Sequence, residues 1–440
     1  MAQFKRLTRE GMTMSQTKYL IIGSSHAGLQ ALDAIRMYDQ EGPITIVTRE
    51  KTLPYSPTVL PYVLSGQTNP DRVFLRDLSY FNENGASFIK GSAVVSVKPE
   101  ANSVTLDSGA EIQYEKLLLA TGSEPKVPDI PGLKDSPWHV LRTLEDALKI
   151  RANAKEGQTA IILGAGLIGM HAAQDLAKAG LQVTVVATTP QVMGQYFDDE
   201  AASLIERVFV ENGVKVLTGS PVTHVTNANN ACAVSLENGL DLSAHLLLVA
   251  KGVNACMDYL DGSGVETGDG VLVDDKMRTN VENIWAAGDL AQGSSFFDSA
   301  KIMNGILPDA SEQGRIAGMD MAEDPAVQPY AGGISMNTYN FFNNRAFAIG
   351  MCGTSGKLAC LPCGLDNLEI DKVFSPSSMR YQKLVFQGDN LLGAASINTE
   401  IDPGVMLQII RRKIDLGGIK ERFASFPLDT GRLVMSSAWR

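Results

Sequence analysis

The sequence is poor in cysteine, histidine and tryptophan, with 5, 5 and 3 among 440 residues. So few cysteines over this length do not frame a secreted disulfide scaffold, and a reducing cytoplasm is the expected setting. Positive charge is also in deficit: 38 Lys and Arg stand against 49 Asp and Glu, a net charge of −11. That balance argues against a nucleic-acid binder and against a polybasic membrane anchor. No apolar run reaches the roughly 18 residues a membrane helix needs, so no membrane span is expected. The opening, 1–17, is polar, carries Lys5, Arg6 and Arg9, and lacks the hydrophobic stretch of a secretory signal. It is expected to be a disordered tail. Low-complexity linkers are missing too. The chain does have hydrophobic residues at 44% and charged residues at 20%, ordinary for a soluble enzyme of two or three domains.

Glycine is well supplied, and its placing is informative. Lys18–Ile22 reads as a short apolar strand, followed by Gly23-Ser24-Ser25-His26-Ala27-Gly28 and an amphipathic helix over Leu29–Tyr38. Strand, glycine turn and helix make a phosphate-binding unit, because the helix start offers free N–H groups and a partial positive charge to a pyrophosphate. Ser25 stands where the G-x-G-x-x-G pattern has its second glycine. A second strand, Ile44–Val47, leads to Thr48-Arg49-Glu50, which puts Glu50 near the spacing of an acid that holds an adenosine ribose. A plain surface glutamate is the other reading.

The unit recurs. Thr159–Leu163 leads into Gly164-Ala165-Gly166-Leu167-Ile168-Gly169 with all three glycines in place, then a helix with Ala172 and Ala173, then the strand Leu181–Val186. Two further stretches end buried strands. Leu117–Leu119 breaks into Ala120-Thr121-Gly122-Ser123-Glu124-Pro125. Ile284–Ala287 ends in Gly288-Asp289, placing a carboxylate past a strand's carboxyl end, where ligands sit in open α/β sheets. Such an acid repels a pyrophosphate but accepts hydrogen bonds from sugar or ribityl hydroxyls. Leu307-Pro308-Asp309-Ala310 starts a helix with proline at a permitted position. Gly314, Ala317 and Gly318 let that helix pack closely.

The A-T-G-S-x-P string, the two glycine loops and the T-x-x-x-x-I-W-A-A-G-D stretch over Thr279–Asp289 together resemble the two-dinucleotide flavoprotein reductases, the pyridine nucleotide–disulfide oxidoreductase superfamily. The resemblance implies an α/β fold of two Rossmann-like dinucleotide-binding domains, the NAD domain inserted in the FAD domain, plus a C-terminal α+β interface domain. The implied division is 18–137 and 253–325 for FAD, 138–252 for NAD, and 326–440 for the interface or dimer. FAD is the implied cofactor and NAD(H) the substrate. By resemblance, Gly23, Ser25, His26, Ala27, Gly28, Arg49, Glu50, Ala120, Thr121, Gly122, Gly288, Asp289, Pro308 and Asp309 surround FAD. Gly164, Gly166, Ile168, Gly169 and His171 surround NAD. The Pro308–Asp309 helix start would face the flavin N1–O2 edge and stabilise negative charge there. After Val186 the family places an acid for NADH or arginines for NADPH. Ala187-Thr188-Thr189 supplies neither, and without a cation for a 2′-phosphate NADH is favoured. His171 stands where the family often has Glu. It either meets the nicotinamide or simply occupies the helix.

One departure shapes the expected chemistry. Tyr55–Tyr62 resembles the S-F-x-x-C-x-x-P-Y segment of NADH peroxidases, NADH oxidases and coenzyme A–disulfide reductases, and their redox cysteine falls on Thr58. Threonine forms no thiolate, sulfenate or disulfide, so thiol chemistry at that place is excluded. No side chain is assigned a catalytic role. His26 matches the histidine that partners the lost cysteine; it faces the flavin or only caps the loop. Cys360 and Cys363 form a C-x-x-C, but no second pair or matching histidines lie nearby, so packing cysteines and no metal site are expected. From about Tyr330 the pattern changes. Asn337–Ala348 and Tyr381–Phe386 read as strands, Asp389-Asn390 as a hairpin turn, and Val405–Ile414 as a helix ending in Arg411, Arg412 and Lys413. This region resembles the C-terminal domain of rubredoxin reductases and of nitrite reductase flavin modules. The implied activity is hydride exchange with NAD(H) and single-electron exchange with separate iron–sulfur protein subunits. Overall likeness points to the FAD subunits of multi-subunit 2-oxoacid oxidoreductases. A free-standing rubredoxin-, ferredoxin- or nitrite reductase-type reductase, a dithiol enzyme using Cys360 and Cys363, and a non-catalytic FAD-bearing interaction protein remain as alternatives.

Overall fold

The computed structural model describes residues 15–228, 231–353 and 367–438. Its first sheet is built outward from Ser15–Ile22, whose last four residues are almost wholly buried. Parallel strands covered on both faces read as near-continuous apolar runs; Tyr19–Ile22 and Leu117–Leu119 do so, and Ile44–Thr48 is broken only by Thr45 before its closing Thr48. The parallel order is Ala86–Lys90, Ile44–Thr48, Ser15–Ile22, Glu111–Leu119, Ile284–Ala286. The chain therefore winds one way from the first strand and then the other. Loops diverge at that strand's carboxyl end and leave a crevice there. A hairpin, Val94–Lys98 and Ser103–Leu106, extends the sheet through the front half of Glu111–Leu119.

The second sheet repeats the winding: Lys215–Leu217, Gln182–Val186, Thr159–Leu163, Leu246–Val249, all parallel. A third, antiparallel sheet runs Met336–Phe341, Asn344–Gly350, Asn390–Ile397, Arg380–Gln387, Leu368–Ser375. Its Tyr339, Phe341, Tyr381 and Ile397 share one core with Ile162, Met170, Ala173 and Phe209 of the second unit. Among the described residues no helix is long and apolar enough to cross a membrane.

Four expectations need correction. Residues 15–17, placed in a disordered tail, belong to the first strand, where Ser15, Gln16 and Thr17 pair with Ile112, Gln113 and Tyr114; residues 1–14 lie outside the described residues. Asn337–Ala348 is a hairpin, not a single strand. Phe342 and Asn343 turn it with φ of 40° and 69°, the left-handed pair a two-residue hairpin requires, and the surrounding aromatics hide the turn signal. The Val405–Ile414 helix runs instead from Pro403 to Arg411. Lys413 takes φ 48°, its N–H reaches Ile410 O, and that of Ile414 reaches Ile409 O. This is a Schellman ending without the glycine that would have announced it. The hairpin expected to turn at Asp389-Asn390 turns one residue earlier, at Gly388-Asp389, because Asn390 already pairs with Gln387 as the first residue of the next strand.

Candidate active site

The first glycine turn is closed by contact. Gly23 holds φ +114°, and a Cβ there would overlap the carbonyl oxygen of Ala120. A Cβ on Gly28 would overlap Gly23 O. Ser25 is the helix N-cap at φ −85°, ordinary for a side chain, so serine is accepted where the pattern has glycine. The helix begins at His26, three residues before the expected start, because the turn itself supplies its first turn. Across it lies the helix Leu307–Met321. Cβ atoms at Gly314 and Gly318 would fall 2.7 and 2.8 Å from the Cα atoms of Ala27 and Ala31. The expectation of close packing at these small residues is met.

Ile284–Ala286 slots in parallel beside Leu117–Leu119, so Ala120-Thr121-Gly122 and Gly288-Asp289 emerge side by side. The Gly288 N–H donates to Gln313 Oε1 at 2.9 Å. Asp289 Oδ2 accepts from Ser123 Oγ at 2.9 Å and lies 3.5 Å from Arg142 Nη2. Arg142 Nε also donates to Ser123 O at 2.7 Å. The Thr121 hydroxyl sits 3.1 Å from Cys256 O and from Tyr259 Oη. Arg49 lies 3.9 Å from Glu124 and 3.5 Å from Cys256 Sγ. Glu50 follows its strand as expected. Burial raises its pKa, while a hydrogen bond from Tyr55 and the charges of Arg49 and Arg142 oppose that rise. Arg142, Ser123, Tyr55 and Gln313 were not singled out from sequence. Ser123 lay within a string that was read, but Arg142 looks like any arginine before a capped helix.

Pro308 starts the Leu307–Met321 helix as expected. The Asp309 carboxyl, however, is turned inward, 4% exposed, bonded by Asn304 Nδ2, and lifted to about 6 by burial. What this helix start offers a ligand is its backbone N–H groups. His26 Nε2 lies 2.9 Å from Ser56 Oγ, which lies 2.8 Å from Thr58 Oγ1. Burial lowers the His26 pKa and the charge of Asp289 partly restores it.

In the second unit Gly164 holds φ +125°, and a Cβ there would overlap Ala250 O; one on Gly169 would overlap Gly164 O. A Cβ on Gly166, the N-cap, would meet nothing within 4 Å. That open space over a helix start is where a pyrophosphate fits, and a side chain would fill it. Ile168 is exposed on the first turn. The Thr189 hydroxyl turns to Gln191 O. His171 leaves the glycine turn behind: its ring packs edge-on against Tyr339, 4.7 Å between centroids, and burial depresses its pKa to about 4. It lines a cleft of about 440 Å³ with Asp175, Lys178, Phe342 and Arg345. Cys360 and Cys363 lie outside the described residues, while Cys232, Cys256 and Cys352 are buried free thiols. Among the described residues no cluster of three or more His, Cys, Asp and Glu is arranged to hold a metal ion.

Two glycine turns, each over a helix start at the carboxyl end of a parallel sheet, thus fit two dinucleotides. Comparison with known proteins agrees. The family model for pyridine nucleotide-disulphide oxidoreductases matches residues 17–314. The chain is 48% identical over 428 residues to the NADH-dependent phenylglyoxylate dehydrogenase subunit epsilon of Aromatoleum evansii, covering 97% of this chain and 99% of that one. It is 29% identical to the rubredoxin-NAD(+) reductase of Pseudomonas putida, covering 70% and 82%. The ferredoxin reductase for the CYP199A2 system of Rhodopseudomonas palustris superposes with a TM-score of 0.83 at 24% identity, over 95% of this chain and all of that one, and so shares its fold. The chain belongs to the pyridine nucleotide-disulphide oxidoreductase family and is an NAD-dependent flavoprotein oxidoreductase that uses FAD and NAD(H).

Proposed function

We propose that this chain is the FAD-bearing, NAD(H)-linked subunit of a cytoplasmic 2-oxoacid dehydrogenase complex acting on phenylglyoxylate, and that it exchanges single electrons with iron–sulfur subunits. The observation that carries the reading is the near end-to-end identity of 48% with the Aromatoleum evansii subunit. On this reading residues 18–137 and 253–325 carry FAD, 138–252 take NAD(H), and 326–440 face the partner.

FAD, when bound, takes a hydride and releases its two electrons one at a time. The protein's part is to hold and orient. The Gly23–Gly28 turn and the helix starting at His26 receive the FAD pyrophosphate, and Glu50 the adenosine ribose. Asp289, steadied by Ser123 and Arg142, accepts from ribityl hydroxyls. Gly164, Gly166 and Gly169 receive the NAD pyrophosphate. Thr58 stores no electrons, so no thiol relay at this place would stand between bound FAD and a partner.

Purification from the native host tests the assignment. A stable complex with iron–sulfur subunits, whose flavin bleaches anaerobically on addition of NADH, is expected. A lone monodisperse chain with the same bleaching would support the free-standing reductase, a reading that draws on the 29% identity to rubredoxin-NAD(+) reductase.

A further inference from the structure

An unbroken polar chain stands where a redox thiol is missing. His26 Nε2 and Ser56 Oγ are 2.9 Å apart, and Ser56 Oγ and Thr58 Oγ1 are 2.8 Å apart. Ser56 is 6% exposed, His26 is half-buried, and Thr58 is exposed. His26 opens the helix beside the glycine turn, and Asp289 is the charged group that acts on it. Imidazole and hydroxyl groups each both give and take a proton. Local capping does not explain the arrangement. Ser56 occupies the N-cap of the short helix Pro57–Val59, where serine normally bonds a backbone N–H, yet it makes no such bond. Its hydroxyl turns sideways to His26 and Thr58.

The proposed function leaves a proton to be moved. NADH yields NAD⁺, two electrons and one proton. The electrons depart singly to iron–sulfur acceptors that take up no proton, so one proton per turnover remains in the crevice. In the opposite direction one must enter. We propose that His26, Ser56 and Thr58 form the path by which this proton passes between the flavin crevice and water. The inference rests on the functional reading above. It also gives Thr58 a role: its hydroxyl continues the chain, which a purely apolar replacement for the thiol would have cut.

The test uses the holoprotein, reduced anaerobically with NADH and then mixed with ferricyanide, a one-electron acceptor, in dilute buffer containing a pH-indicator dye. In the wild type, proton release is expected to keep pace with flavin reoxidation. In Ser56→Ala it is expected to lag flavin reoxidation by roughly a hundredfold, in line with the loss of a positioned proton carrier. Thr58→Val, a near-isosteric change at an exposed position, is expected to lag likewise. A second readout needs no turnover: the His26 ring resonance of the holoprotein is expected to move on dithionite reduction, with its titration shifted in Ser56→Ala. Normal bleaching together with unchanged proton release and an unchanged His26 titration in both variants would overturn the relay alone. A wild-type flavin that NADH does not bleach overturns the functional reading and the relay with it.

Discussion

Replacing Gly314 with alanine probes the crossing that shapes the flavin crevice. The added Cβ would sit 2.7 Å from both the Cα and the carbonyl carbon of Ala27 and would overlap Ala27 O. All three are backbone atoms of the helix proposed to receive the pyrophosphate at its first turn, so no flexible side chain can give way. Relief requires the helices His26–Tyr38 and Leu307–Met321 to part by something near 1 Å. Overpacking against movable side chains costs about 1–3 kcal/mol, and a backbone clash belongs at the top of that range. Taking about 3 kcal/mol, a domain of this size should melt roughly 6–12 °C lower. Ala27 also touches the Gly288 turn, with only 3.3 Å between its Cβ and a Cβ placed at Gly288. Parting the helices therefore splays Asp289 from the glycine turn and should weaken FAD by about tenfold, ~1.4 kcal/mol. Calorimetry of the apoprotein and the holoprotein, with the flavin-to-protein absorbance ratio after gel filtration, measures both effects. An alanine variant melting within about 2 °C of wild type and keeping its flavin would refute the reasoning.

The mirror experiment is Gly166→Ala, whose Cβ meets nothing in the protein. Melting and FAD content should be unchanged while the KM for NADH rises roughly tenfold or more, since the methyl occupies the pyrophosphate's place; steady-state kinetics would show it. Asp175 and His171 share a helix face and have opposite linkage. Burial lifts Asp175 to about 7, so the folded state holds a proton the unfolded state lacks, and stability falls as pH rises from about 4 to about 7. Burial lowers His171 to about 4, so its contribution is lost as pH falls from about 6.5 toward 4. Urea unfolding across that range should show Asp175→Asn removing the first slope and His171→Gln the second. Asp198 accepts from Tyr381 Oη at 2.6 Å and sits 3.4 Å from the buried Lys383. Asp198→Ala strands that ammonium and should cost about 3–5 kcal/mol, against about 1 kcal/mol for Tyr381→Phe, by denaturant titration.

The glycine turns and parallel strands were readable because their causes are local. Gly23 and Gly164 must hold φ near +120°, and Ile284–Ala286 is apolar at every position because both its faces are covered. The absence of a thiol at Thr58 was readable from the sequence once Tyr55–Tyr62 was set beside the cysteine-bearing segment it resembles. Partners that meet only on folding were not. Arg142 reaches Asp289 from 147 residues away, and nothing in its neighbourhood announces it. His171 was left between two readings because its fate depends on Tyr339, a residue from a distant hairpin. The hairpin was itself misread, since Phe342 takes a left-handed turn position that asparagine or glycine would have flagged. The helix start at Pro308–Asp309 was legible, but not that the Asp309 carboxyl is drawn inward by Asn304, a contact made outside the helix.

The return of Ile284–Ala286 to a sheet begun at Ser15 has a cost during synthesis. Until that strand and the helix ending at Met321 emerge, the outer edge of Glu111–Leu119 and the apolar face of the first helix stay uncovered. Roughly two hundred residues lie between Leu119 and Met321, about 10–40 s of ribosome time. In that interval the nascent chain presents an open strand edge to its neighbours on the polysome, so chaperone demand should peak before the inserted unit is complete and vanish soon after it.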